Sequence, residues 1–248
     1  ELVKLLTSDH PQMMRDLYEL GLTAVFMPEF DVMMQTPQHN KHHMYSVGEQ
    51  TLHTLEHGRA DKILRLTMLL HDVAKPVCIT TDEEGQDHFK KHPAVGADMT
   101  KQILRRLKFD NKTIDCCCRL VKEHDDRPQI TPKNVRRAMS RIGAGLFPML
   151  FEVKRADMLG QSLYKRKEKM AYIDEFERVY NEILSDDQCV SKKDMKINGR
   201  DLIDLGMEPG QKLGEILDKL YEMVLDDPEL NDHEKLIEHA NKIISTLI

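Results

Sequence analysis

Leu69-Leu70-His71-Asp72-Val73-Ala74-Lys75-Pro76 sets two adjacent metal-ligating residues at the end of an otherwise apolar run. The spacing from Ile63 to Leu70 predicts a buried helix, with Asp61 as its N-cap and Pro76 as its stop. An imidazole and a carboxylate enter a core only when something pairs with them. The dipeptide is therefore either a hydrogen-bonded core pair or part of a larger polar centre. Further candidates stand on separate helical patterns: His92 between Lys91 and Pro93, His124 after Glu123, and Asp157 after Ala156. Imidazoles with carboxylates suit manganese, iron, nickel, cobalt or magnesium, and the lack of a paired-cysteine motif argues against structural zinc.

Working outward, apolar residues recur at helical spacing nearly everywhere and sustained alternation is almost absent, which predicts an all-α fold. Helices are expected near 12–20, 43–57, 62–72, 93–107, 111–124, 132–141, 144–160, 166–185, 200–205, 210–226 and 232–246. One small hairpin is expected from Val77–Thr81 and Asp87–Phe89 about Glu84-Gly85. The chain divides into three expected parts. Residues 1–36 end a helical neck, with Gly21 closing a helix and an apolar turn through Phe26-Met27-Pro28. Residues 37–187 form a bundle holding every ligand candidate, and residues 188–248 form a helical tail.

The five cysteines, three of them consecutive at 116–118, offer no disulfide framework, and the chain reads as reduced and cytoplasmic. No secretory signal and no bilayer-length apolar run is present, so no membrane partner is expected. The chain opens at Glu1 rather than methionine, as an excised fragment or a processed product would.

The order His…His-Asp…His…His…Asp resembles the HD phosphohydrolase superfamily. Gln38-His39-Asn40-Lys41-His42-His43-Met44-Tyr45-Ser46-Val47-Gly48-Glu49-Gln50-Thr51-Leu52 is similar to the entry of the HD domain attached to bacterial CCA-adding tRNA nucleotidyltransferases and poly(A) polymerase relatives. Asn198-Gly199-Arg200-Asp201-Leu202-Ile203, with Gly206, Pro209-Gly210 and Leu213-Gly214, is similar to that family's closing segment. The resemblance implies an HD-domain helical bundle with a short neck, part of an RNA-binding linker, and a helical tail. It also implies metal-dependent hydrolysis of phosphomonoesters or 2′,3′-cyclic phosphodiesters at a phosphorylated nucleotide or RNA end. Nucleotide addition needs a separate head with a Gly-Ser motif and an Asp-x-Asp pair, and neither motif occurs here, so the chain should not add nucleotides by itself.

Under this reading Asp72 takes the central role, bridging one or two divalent ions. His71 and Asp157 complete one, His92 and His124 the other, and Lys75 and Arg155 are candidates for the substrate phosphate, each equally readable as a solvated surface cation. Two departures from the family pattern stand out. Gln50 occupies the place of the first ligand histidine; His43, His53 and His57 lie seven, three and seven residues from it, spacings from which a substitute could approach. Lys91 stands where relatives often carry glycine. A scaffold that only positions tRNA is the alternative reading.

The formal charge of −6 opposes a general phosphate-binding surface, and no DNA partner is expected. Two basic clusters nonetheless remain: Lys133, Arg136, Arg137 and Arg141 on one predicted helix, and Lys101, Arg105, Arg106 and Lys108 on another. Each is either a solvated face or a tRNA contact through backbone and shape, since the chain has no tryptophan for base stacking.

Overall fold

The computed structural model describes residues 1–40 and 44–247, with side chains through 246. It is mostly helical, and the two-stranded hairpin Thr80–Thr81 with Asp87–His88 is antiparallel, with Thr80 opposite His88 and Thr81 opposite Asp87. Val77 and Cys78, expected to begin that hairpin, belong instead to the short helix Lys75–Cys78. Pro76 falls in the first turn of that helix, where a missing N–H costs nothing.

The chain forms two compact units, residues 1–127 with 146–174, and residues 128–145 with 175–248. These divisions differ from the three parts read from sequence. Residues 1–36 are not a separate neck: Leu6, Met14, Met27, Phe30 and Met33 share one core with Leu52, Leu55, Leu64 and Val153. Burial of that many large side chains, each stabilising by roughly 1.5–3 kcal/mol, ties the N-terminal residues to this unit. Residues 128–145 and 175–187 belong with the tail, and the division falls within the helix Arg166–Ser185.

In the first unit, Val47–Glu56 is capped by Ser46, whose hydroxyl accepts from Glu49 N, and Lys62–Leu70 by Asp61, whose carboxylate accepts from Leu64 N. His92–Arg106 packs along Asn111–Glu123, and Phe147–Gly160 packs against both Val47–Glu56 and Lys62–Leu70. Gly160 permits part of that approach, since a Cβ there would lie 2.7 Å from Thr54 Oγ1 and 3.0 Å from Thr54 N. Leu2–Leu6, Thr23–Phe26 and Pro28–Gln35 are helices that sequence reading missed.

The second unit packs Pro132–Ile142 against Gln211–Asp226. Its core contains Cys189, Ile197, Leu202, Leu220, Val224, Leu236 and Ala240. The Tyr221 hydroxyl lies 2.6 Å from Ser140 Oγ and donates to Val190 O at 2.9 Å, so this buried ring keeps its polar end satisfied. All five cysteines are free thiols. No helix among the described residues is long and apolar enough to cross a membrane.

Candidate metal centre

Three histidines at helix ends are anchored by one device. His71 follows Lys62–Leu70 and its Nδ1 lies 2.7 Å from Met68 O; His92 opens its helix with Nδ1 2.8 Å from Phe89 O; His124 follows Asn111–Glu123 with Nδ1 2.7 Å from Val121 O. A carbonyl only accepts, so each Nδ1 carries a proton and each Nε2 is turned inward. Second partners of this kind orient ligating imidazoles in metal proteins. All three side chains are buried, as is Asp72.

The inward atoms converge in two groups that share Asp72. His92 Nε2 lies 3.2 Å from His124 Nε2, and these stand 3.3 and 3.7 Å from Asp72 Oδ1. His71 Nε2 lies 3.1 Å from Asp72 Oδ2 and 3.3 Å from Asp157 Oδ1. Each group has the donors and closeness to hold a cation. The donor set fits a borderline-to-hard divalent ion.

Burial disfavours the His71 imidazolium, yet the Asp72 charge and hydrogen bonds to Asp157 and Asp72 outweigh it and push its pKa up to about 10. Burial would raise the Asp72 carboxyl, but the His71 and Lys75 charges hold it well below the usual carboxylate range. Asp157 is likewise held down, with the bond to His71 overcoming burial. His124 moves opposite to His71, lowered by burial and by the neighbouring imidazoles.

Gln50, on Val47–Glu56, does reach the centre: its Nε2 donates to Asp157 Oδ1 at 2.8 Å and lies 3.4 Å from Asp72 Oδ2. Lys75 Nζ lies 2.8 Å from Asp72 Oδ2 and donates to Gln38 Oε1 at 2.9 Å. Of the other positions read as substitutes for the missing histidine, His53 and His57 do not converge on the centre. His53 stacks on Tyr45 with centroids 4.5 Å apart and pairs with Glu56 at 3.3 Å, and His57 caps the exposed end of its helix. His43 lies outside the described residues.

Arg155 is a correction: it bonds Asp174 at 2.8 Å and does not line the cavities at the centre. Two positions along a helix turn a side chain to the far face, so adjacency to Asp157 in sequence did not bring Arg155 with it. The cationic wall is supplied instead by Arg127, Lys165 and Lys169, which line a cavity of about 390 Å³ reaching His124 and Asp157. A second cavity of about 390 Å³ shares Arg127, Lys169 and Gln161 and reaches Asp72, Lys75 and His92. Gln161 Nε2 donates to Asp157 Oδ2 at 2.8 Å, and Lys169 Nζ donates to Gln161 Oε1 at 2.7 Å, so this wall is wired to the centre. Lys154 donates to His124 O at 2.8 Å and to Asp126 O at 2.6 Å, fixing the backbone that carries His124; burial lowers its pKa to about 8.

Sequence reading missed Gln38, Gln161, Lys169 and Lys154 because nothing in their local pattern separates a wired amide or ammonium from a surface one. Lys91 did carry a signal. Its φ is +69°, the left-handed region where glycine costs nothing, which gives the physical reason for glycine at this place in the family pattern.

At least half of the eight cations in the two basic clusters make ion pairs or hydrogen bonds within the protein that account for them. Arg136 is buried and donates to Leu225 O at 2.8 Å, Asp226 O at 3.0 Å and Gln188 Oε1 at 2.8 Å. Lys133 and Arg137 both pair with Asp226 at 2.8 Å, while Arg141 is exposed. Arg106 pairs with Glu29, and Lys101, Arg105 and Lys108 are exposed.

A family model described as tRNA nucleotidyltransferase domain 2 matches residues 94–240. The chain belongs to the tRNA nucleotidyltransferase family. It is 32% identical over 214 residues to an A-adding tRNA nucleotidyltransferase of Deinococcus radiodurans, a match covering 83% of this chain and 48% of the relative. It is 29% identical over 229 residues to a CC-adding tRNA nucleotidyltransferase of Thermus thermophilus, covering 90% of this chain and 51% of that one. A shorter match, 47% identical over 55 residues, links 22% of this chain to 14% of a CCA-adding enzyme of Ligilactobacillus salivarius. The chain spans about half the length of the first two relatives.

Proposed function

We propose that this tRNA nucleotidyltransferase-family chain is an HD-like portion of a larger cytoplasmic enzyme acting on tRNA, and that it carries a divalent-metal phosphohydrolase centre. Its substrates are phosphomonoesters or 2′,3′-cyclic phosphodiesters of a nucleotide or RNA end. The observation that supports this most is the convergence of three Nδ1-anchored imidazoles with Asp72 and Asp157 beneath a cationic cavity. A divalent ion held by these residues supplies an acidified water and charge neutralisation at the phosphate. The chain's own residues bind and orient. Arg127, Lys165 and Lys169 attract the phosphate, and Gln161 ties that wall to Asp157.

The test is hydrolysis of 2′,3′-cyclic AMP after chelation and re-addition of manganese, nickel, cobalt or magnesium, beside Asp72→Ala. Metal-dependent turnover that the variant loses supports the reading, and no turnover with any metal from folded protein refutes it. Gln50 in place of a ligand histidine favours the second reading, a scaffold that positions tRNA. In that case wild type and Asp72→Ala bind tRNA equally and neither turns over.

A further inference from the structure

We infer that the centre takes one divalent ion rather than two, held by Asp72 Oδ1, His92 and His124, while Lys75 and Gln50 close the His71–Asp157 half. This rests on the metal-centre reading above and goes beyond it by assigning which half binds.

The two halves differ in what faces them. On the His92 side three acceptors converge. Both Nδ1 atoms face carbonyl oxygens, so both carry protons, and the two Nε2 lone pairs meet at 3.2 Å with Asp72 Oδ1 beside them. Acceptors that close in a buried space need a proton or a metal ion shared between them, and a divalent ion would serve all three at once. Among the described residues the only side-chain nitrogens bonded to Asp72 other than histidine, those of Lys75 and Gln50, reach Oδ2 and not Oδ1.

On the His71 side donors already fill the carboxylates. Lys75 is the key, because an ammonium only donates. It gives one hydrogen bond to Asp72 Oδ2 and another to Gln38 Oε1, which fixes the Gln38 amide with its nitrogen turned to Gln50. Gln38 Nε2 donates to Gln50 Oε1 at 2.9 Å, which fixes the Gln50 amide in turn with its nitrogen on Asp157 Oδ1. Ligation by the Gln50 carbonyl would need that amide to flip, breaking its bonds to Gln38 and Asp157 together. Lys75, Gln38 and Gln50 are all buried, so water does not readily replace what such a flip would break. A buried internal cation and an amide thus occupy the electrostatic place of a second ion.

The test is metal content. Purified chain is loaded with excess Mn²⁺, passed through a desalting column and assayed by elemental mass spectrometry, with electron paramagnetic resonance as the second readout. One manganese per chain and an uncoupled six-line spectrum are expected. His92→Ala should lose the ion and His71→Ala should keep it, with circular dichroism confirming the fold of each. Gln50→His with Lys75→Ala should raise the count towards two. Two ions per wild-type chain, or loss in His71→Ala with retention in His92→Ala, overturns the inference while leaving a metal centre. No bound ion in wild type overturns both the inference and the functional reading; the count on unaltered protein decides this even if a variant fails to fold.

Discussion

Gly160→Ala should destabilise the first unit, against the ordinary trend for glycine in a helix. Replacing a helical glycine by alanine gains up to about 1 kcal/mol of propensity. At Gly160, however, the new Cβ would meet Thr54 Oγ1 at 2.7 Å, Thr54 N at 3.0 Å and Gln50 O at 3.2 Å. The hydroxyl cannot turn away freely, because it donates to Gln50 O at 3.0 Å in a buried setting, and the backbone atoms cannot turn at all. Overpacking of this kind costs about 1–3 kcal/mol, and losing the threonine bond adds about 1 kcal/mol. The net expectation is a loss of roughly 1–3 kcal/mol after the propensity gain. In a chain of this size that lowers Tm by about 2–12 °C. The assay is thermal unfolding in chelator, with Gly214→Ala as the control. Gly214 lies in Gln211–Asp226 with nothing within 4 Å of an added Cβ, so the control should hold or raise Tm. A rise in Tm for Gly160→Ala equal to that of the control would refute the close helix contact that brings Asp157 to Gln50.

Other expectations follow from single observations. Lys91→Gly should raise stability by about 0.5–1 kcal/mol, because it removes a side chain from φ +69°; a fall in the urea midpoint would argue against that strain. Arg136→Ala should cost roughly 2–4 kcal/mol by orphaning two carbonyls at the end of Gln211–Asp226, and tRNA affinity measured on folded variant should not change; a stable variant that loses tRNA would restore the RNA-contact reading. In metal-free protein the His71 imidazolium, raised from 6.5 to about 10, stabilises fully below pH 6.5, and that contribution disappears as pH climbs to about 10. His71→Gln should therefore flatten the fall of Tm across this window, and an unchanged slope would place the titration elsewhere.

Much of the polar cluster was legible because its three imidazoles sit at helix ends, where caps and stops are local signals. Asp61 caps the His-Asp helix as its chemistry dictates, whereas Pro76, read as its stop, falls in the first turn of the next helix, Lys75–Cys78; His92 and His124 open and close helices at the expected places. Pro28 misled: read as part of a turn, it is the first residue of Pro28–Gln35, a position that suits its fixed φ. Arg136 misled in the opposite sense, since a basic stripe on an amphipathic helix resembles a solvent face until a second helix end arrives to accept its hydrogen bonds. Gln50 was recognised as a departure, but its consequence lay in the chain from Lys75 through Gln38, which joins three separate segments and leaves no mark in any one of them.

The most direct measurement is anomalous diffraction from crystals grown with Mn²⁺ and soaked with 2′-AMP. A manganese peak beside Asp72, His92 and His124, with the phosphate lying between it and Lys169, is the expected result. A well-ordered map with no peak at these residues at saturating Mn²⁺ would contradict a metal-dependent phosphohydrolase centre in this chain.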